Sequence, residues 1–386
     1  MLDFTYQNPV KIIFGKEKIQ DVAGEIPPDA TVLLLYGQGS IKKNGVHALT
    51  IEALAGRRVI EFGGIEPNPS YETAMAAVNV VREKGIGFLL SVGGGSVLDA
   101  TKFIAAAARF EDGDPWQIMS GAPIHDAVPL GAILTLPATG SEMNTNAVIS
   151  RKSSADKLYF SSPLVYPRFS ILDPTTTYSL PPRQTANGVV DAFVHVMEQY
   201  LTWPSDAPLQ DRMAEGILQT LIEEGPKALT DPHDYNVRAN IMWCATLALN
   251  DLIGQGVPED WSTHMIGHQI TAMHGLDHAQ TLAIVLPVIM DVKRDKKREK
   301  ILQYAERVWK IDSAALGEEK TIDSAMAKTR EFFETLGVRT RLGDYGINAA
   351  SIPAIIEKLQ EHGMTALGEH ADIGPDTIRE ILERCL

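Results

Sequence analysis

At 386 residues the chain is too long for one ordinary hydrophobic core and is expected to form two domains. Its 45% hydrophobic and 22% charged residues are those of a globular protein, which excludes a disordered chain. A net charge of −14 argues against nucleic acid as the partner, because phosphate backbones reward clustered Lys and Arg, and it predicts solubility.

The opening Met1-Leu2-Asp3-Phe4 lacks a basic region followed by an apolar run, so no signal peptide is expected. No apolar stretch is long enough to span a bilayer, so no membrane partner is expected either. Two cysteines, Cys244 and Cys385, make no disulfide framework, which points to a reducing cytoplasm. Short strands are predicted at Val10–Gly15, Thr31–Tyr36, Arg58–Phe62, Gly87–Val92 and Gly131–Leu136, with a helix over Tyr71–Lys84. Strands alternating with helices imply a mainly parallel sheet covered on both faces.

Three small, polar loops follow strands on what would be one edge of that sheet. They are Gly37-Gln38-Gly39-Ser40, Gly93-Gly94-Gly95-Ser96 and Thr139-Gly140-Ser141-Glu142-Met143-Asn144. Ligands of open α/β sheets bind beyond the carboxyl ends of the strands. Strand, glycine run and helix (Ala100 to Phe110) suit a pyrophosphate, which would meet free N–H groups at a helix start. The competing explanation is a tight turn that needs positive φ. Ser96 with Asp99, and Thr139 with Glu142, have the spacing of capping boxes.

Strand-like pieces continue through 147–151, 157–160 and 168–173. Leu180-Pro181-Pro182-Arg183 then marks a boundary, giving domains 1–181 and 182–386. Beyond it the patterns are helical: Asp211–Glu223, Val237–Leu252, a helix from His264, a break at Gly275–His278, and Thr281–Met290. The charge run Asp291–Lys300 reads as a solvated helical face.

Asp191 and His195 are four residues apart, hence on one helical face. His264, His268, His274 and His278 crowd a second stretch, and imidazoles packed this densely need partners. One Asp with three His suits Fe2+ or Zn2+, and without thiolates a structural cysteine-type zinc site is excluded. Spacing alone leaves open which histidines are ligands. His47, His125, His233, His362 and His370 read as ordinary surface or core residues.

With these residues in view, the chain resembles the iron-containing (group III) alcohol dehydrogenases, most of all their NADPH-dependent butanol dehydrogenase and aldehyde reductase branch. The resemblance covers essentially the whole chain. It rests on Phe14-Gly15-Lys16, Glu66-Pro67-Asn68-Pro69, Gly93 to Asp99, Thr135 to Glu142, Asn187 to His195, and His264-Met265-Ile266-Gly267-His268 with His274 and His278. It implies a Rossmann-like N-terminal α/β domain, an all-α C-terminal domain (the dehydroquinate synthase-like architecture) and an active site in the cleft between them. It implies metal ligands Asp191, His195, His264 and His278, with His268 and His274 beside the substrate or behind the ligands. His268 is the candidate proton relay. For the cofactor it implies Gly37, Gln38, Gly39, Ser40, Asn68, Gly94, Gly95, Ser96, Asp99, Thr135, Thr139, Ser141, Asn144 and Lys157.

The loop after Tyr36 holds no acid to grip ribose hydroxyls, and Lys42 and Lys43 follow, which favours NADP(H). Gln38 departs from the Gly common in this branch. The implied activity is hydride transfer between NADP(H) and a primary alcohol or aldehyde by a homodimer. Two rivals share the architecture. A metal-dependent lyase resembling the dehydroquinate synthases would want Lys and Arg around an anionic substrate, whereas the stretch from His264 to His278 is apolar and neutral, with Met265, Ile266, Ile270, Met273 and Leu276. The other rival is a non-catalytic nucleotide- or metal-binding protein.

Overall fold

Every residue of Val32-Leu33-Leu34-Leu35-Tyr36 is buried, as a strand covered on both faces requires. The computed structural model describes all residues from Met1 to Leu386. Its strands are β1 (Lys11–Phe14), β2 (Val32–Tyr36), β3 (Val59–Phe62), β4 (Phe88–Gly94), β5 (Leu130–Leu136), β6 (Asn146–Arg151), β7 (Asp156–Ser161) and β8 (Phe169–Leu172). Six of them make one sheet in the order β1-β8-β5-β4-β2-β3, every pair parallel. β6 and β7 form a separate antiparallel hairpin.

The period of two sorts side chains to opposite faces. Leu33, Leu35 and Leu89 pack under Phe103, Ile104 and the Tyr71–Lys84 helix. Leu34, Phe88, Leu90 and Ile171 fill the other face with Ile41 and Val46. Because all six strands are parallel, β2, β4 and β5 end on one edge, and the three polar loops leave from it.

By contacts the chain forms two units, one of Gln7–Leu180 with Pro232–Thr246, the other of Met1–Tyr6, Pro181–Asp231 and Leu247–Leu386. Pro232–Thr246 joins the first because Met242 packs with Leu134 and Leu172. The second unit is helical. Pro182–Tyr200, Pro208–Thr230, Ser262–His274 and His278–Val292 are its main helices, and an apolar cluster joins Ile266, Ile270, Ile284 and Val285 to Ile355, Ile381 and Leu382 of later helices.

Four local expectations are corrected. The helix after β4 begins at Gly95, five residues before Ala100, with Gly94 as an N-cap that offers no side chain. The Ser96–Asp99 capping box does not form, because Asp99 accepts hydrogen bonds from Ser141 Oγ at 2.7 Å and Val148 N at 3.0 Å. Thr139 Oγ1 does accept from Ser141 N at 3.3 Å, but Glu142 is drawn inward to Thr246 Oγ1, so that box fails too. The charge run is no solvated face: the helix ends at Val292, the next begins at Arg298, and Lys297 and Lys300 are only 3% and 5% exposed.

Candidate metal centre and cofactor edge

The Pro182–Tyr200 helix is buried from Thr185 to Tyr200, so its polar side chains must find partners inside the protein. Asp191 and His195 share one face and are 3% and 4% exposed. His195 Nε2 lies 3.9 Å from Asp191 Oδ1. The Ser262–His274 helix brings His264, whose ring stacks on His195 with centroids 4.6 Å apart. The donor atoms that Asp191, His195 and His264 could offer a metal all lie within 4.8 Å of one another.

His278 opens the next helix. Its Nε2 is 3.7 Å from Asp191 Oδ1 and its ring centroid 5.2 Å from that of His264. A clip sets its position: Asn187, one turn before Asp191, donates from Nδ2 to Asp277 Oδ2 at 2.7 Å, and Asp277 with Gln280 forms a capping box on the His278–Val292 helix. Burial, and then the proximity of His264, push the His195 imidazole well below its usual range, so it is neutral, the form that binds a cation.

The donor set fits a divalent metal. His264 Nδ1 is bonded to the Glu198 carboxylate, an acceptor only, so Nδ1 carries the proton. His264 Nε2, buried and without a hydrogen-bond partner, is left with its lone pair beside Asp191 and His195. Glu198 escaped the sequence reading, although it follows His195 by three residues and Asp191 by seven on the same face. His268 is buried with its ring 4.8 Å from that of His278. His274, at the end of its helix, is half-buried, and burial lowers its pKa.

In the other unit, Gly93, Gly94 and Gly95 all lack positive φ, so the tight-turn explanation fails. They are glycines for want of room. An added Cβ would come within 2.5 Å of Val97 at Gly93, 2.9 Å of Leu136 at Gly94 and 2.5 Å of Thr139 at Gly95. The helix that starts there has no side-chain cap, which leaves its first N–H groups for an anion.

The loop 139–144 is built from below. Lys102, fully buried, donates from Nζ to Asn144 Oδ1 at 2.9 Å and to Asn146 O at 2.8 Å. Asn144 Nδ2 reaches Thr139 O at 3.3 Å. Burial raises the Asp99 carboxyl, against the pull of Lys102 and Ser141. Asp99 and Asn144 therefore hold Ser141 and Thr139 in place. Lys157 Nζ donates to Asn68 Oδ1 at 2.9 Å, with Asn68 at φ +52°. Thr135 is buried at the end of β5.

At the end of β2, Gly39 has φ +98°, Gln38 and Ser40 are exposed, and Lys42 follows in a short helix. Lys42 Nζ lies 3.3 Å from Glu61 Oε2 and 4.8 Å above the Tyr36 ring. Tyr36 Oη and His47 Nε2 also reach Glu61, at 3.1 and 3.0 Å. Burial works against the Glu61 charge, but His47, Lys42 and Tyr36 hold it below the usual carboxylate range.

A model of the iron-containing alcohol dehydrogenases matches residues 9–174, and a model of the C-terminal part of the Fe-containing alcohol dehydrogenase family matches residues 185–386. The chain is 61% identical over 386 residues to the NADPH-dependent aldehyde reductase YqhD of Escherichia coli (strain K12), with 99% of each chain covered. It is 40% identical over 390 residues to the probable NADH-dependent butanol dehydrogenase 1 of Bacillus subtilis (strain 168), with all of each chain covered. Among solved structures, the substrate- and cofactor-free aldehyde reductase YqhD from E. coli matches all of both chains at TM-score 0.92 and 59% identity. The NADH-dependent butanol dehydrogenase A of Thermotoga maritima matches at TM-score 0.95 and 33% identity, covering 100% of this chain and 99% of that one.

Proposed function

The chain belongs to the iron-containing alcohol dehydrogenases, and from that membership we infer that it is a metal-dependent oxidoreductase transferring a hydride between NADP(H) and a primary alcohol or aldehyde. Full-length identity to an aldehyde reductase and to butanol dehydrogenases favours this over the lyase and the non-catalytic alternatives. The observation that carries the site is the unpartnered Nε2 of His264, buried beside Asp191 and His195.

On this reading Asp191, His195, His264 and His278 hold Fe2+ or Zn2+. Bound there, the cation supplies Lewis-acid polarisation of the substrate oxygen, and the reduced nicotinamide supplies the hydride. One carboxylate among three imidazoles cancels only one positive charge, so the residues favour a developing alkoxide. His268, beside His278, relays the proton to solvent. Gly94, Gly95 and Ser96 present backbone N–H groups to the pyrophosphate. Thr135, Thr139, Ser141, Lys157 and Asn68 bind the nicotinamide half, with Asp99 and Asn144 holding that loop rigid. Gly37, Gln38, Gly39 and Ser40 receive the ribose phosphate end, with Lys42 at hand. Domains 1–181 and 182–386 carry cofactor and metal respectively.

No helix is long and apolar enough to cross a membrane. Cys244 and Cys385, both buried and not joined in a disulfide, support a reducing cytoplasm. We assign a homodimer, which light scattering of the purified protein tests. The function itself is tested by following NADPH oxidation with butanal before and after chelation, alongside elemental analysis. The rate is expected to vanish with the metal and return with Fe2+ or Zn2+. An undiminished rate in metal-free protein would overturn the reading.

A further inference from the structure

We infer that Glu198 is a positioning residue of the metal centre, one that fixes which nitrogen of His264 faces the cation and how its ring is turned. The inference rests on the reading of Asp191, His195, His264 and His278 as ligands.

Glu198 is only 2% exposed, a costly place for a carboxylate unless its oxygens are paired. Both are. Oε1 accepts from the Thr263 backbone N–H at 2.6 Å, and Oε2 accepts from His264 Nδ1. The backbone carbonyl of Glu198 accepts from Asp260 N at 2.9 Å, so the segment leading into His264 is tied to this residue twice. The Trp261 ring stands edge-on to His264 with centroids 5.3 Å apart. A carboxylate on the far nitrogen of a ligating imidazole locks its tautomer and raises the basicity of the nitrogen that binds. Glu198 acts through His264.

The test titrates Zn2+ into metal-free wild-type, Glu198→Gln, Glu198→Asp and His264→Ala proteins against a competing chelator, and records Co2+ absorption spectra. The Gln amide offers one acceptor oxygen to two converging N–H donors, so one bond is lost. Glu198→Asp keeps the charge but falls short by one methylene. In both, the Zn2+ affinity is expected to fall by about 10- to 100-fold, and the Co2+ bands are expected to shift. A residue that merely supports the fold would lower the melting temperature and leave the spectrum of the bound Co2+ unchanged. Wild-type affinity and an unshifted spectrum in either folded variant overturn the inference. His264→Ala is expected to lose stoichiometric Zn2+; stoichiometric metal there would overturn the ligand set itself, which keeps the two failures distinct.

Discussion

Lys42 stands at the strand end proposed to receive the ribose phosphate, and in the structure it is already engaged. Its ammonium rests between Glu61 and the Tyr36 ring, at the rim of the loop that ends in Ser40. A 2′-phosphate at this strand end offers Lys42 a stronger partner than a half-exposed carboxylate, whereas a bare ribose offers none. Lys42→Ala is therefore expected to lower kcat/KM with NADPH by roughly tenfold and to leave that with NADH unchanged. Equal losses with both cofactors would count against this role. Glu61 could not be read from the loop, because it lies 25 residues beyond Tyr36 and reaches it only because β3 pairs beside β2, with Leu34 opposite Glu61. Lys297 is a similar case. In sequence it is one charge in a basic run, yet Asp260 at 2.8 Å and Glu369 at 2.7 Å, together with Leu201 O, make a buried pocket for it. Burial pulls its pKa down, and the two carboxylates more than restore it. Partners more than thirty residues away leave no local signal.

At the scale of elements, the helical face that carries Asp191 and His195 was half legible. Asp191 and His195 stood out by spacing, and the same spacing extends to Asn187 and Glu198, the two residues that tie this helix to the segments bearing His278 and His264. The glycine run was legible as a strand-to-helix junction. The reason for its glycines was not, because Thr139 and Leu136 arrive from another strand end. Gly267 teaches the same lesson. A Cβ there would meet Thr281 Oγ1 at 2.8 Å and Leu282 Cδ2 at 3.2 Å on the facing helix. Alanine gains about 1 kcal/mol of helix propensity over glycine, but overpacking a filled interface costs about 1–3 kcal/mol. Thr281 and Leu282 are fully buried and have nowhere to move. Gly267→Ala is expected to be destabilised by about 1 kcal/mol in urea unfolding and to bind Zn2+ more weakly, since His264 and His278 flank that contact. A variant more stable than wild type would mean that the two helices simply move apart.

For the molecule as a whole, the pattern of alternating strands and then helices was enough for the architecture, because period and apolar runs report burial on one face or two. It did not reveal that Pro232–Thr246 packs with the sheet, since an amphipathic helix shows which face it buries but not against what. The two units also divide the proposed site residues between them. Asp191, His195, His264 and His278, the proposed metal ligands, all belong to the helical unit, and the residues proposed for the cofactor, from Gly37 to Lys157, all belong to the other. A ligand that binds only the folded form stabilises by RT ln(1 + [L]/Kd), about 2.7 kcal/mol at a hundredfold excess over Kd. Spread over a unit of this size, that raises a melting temperature by about 5–10 °C. Calorimetry of the metal-free protein is expected to resolve two transitions. Zn2+ should raise one of them and NADPH the other, each leaving its neighbour within a degree or so. Residues 195 and 264 are far apart in the chain, and a preformed metal site rarely exists in an unfolded chain, so the Zn2+ shift should disappear in His264→Ala while the NADPH shift persists. A single transition raised by both ligands would mean that the units unfold as one, and the assignment of cofactor and metal to separately stable parts would have to be abandoned.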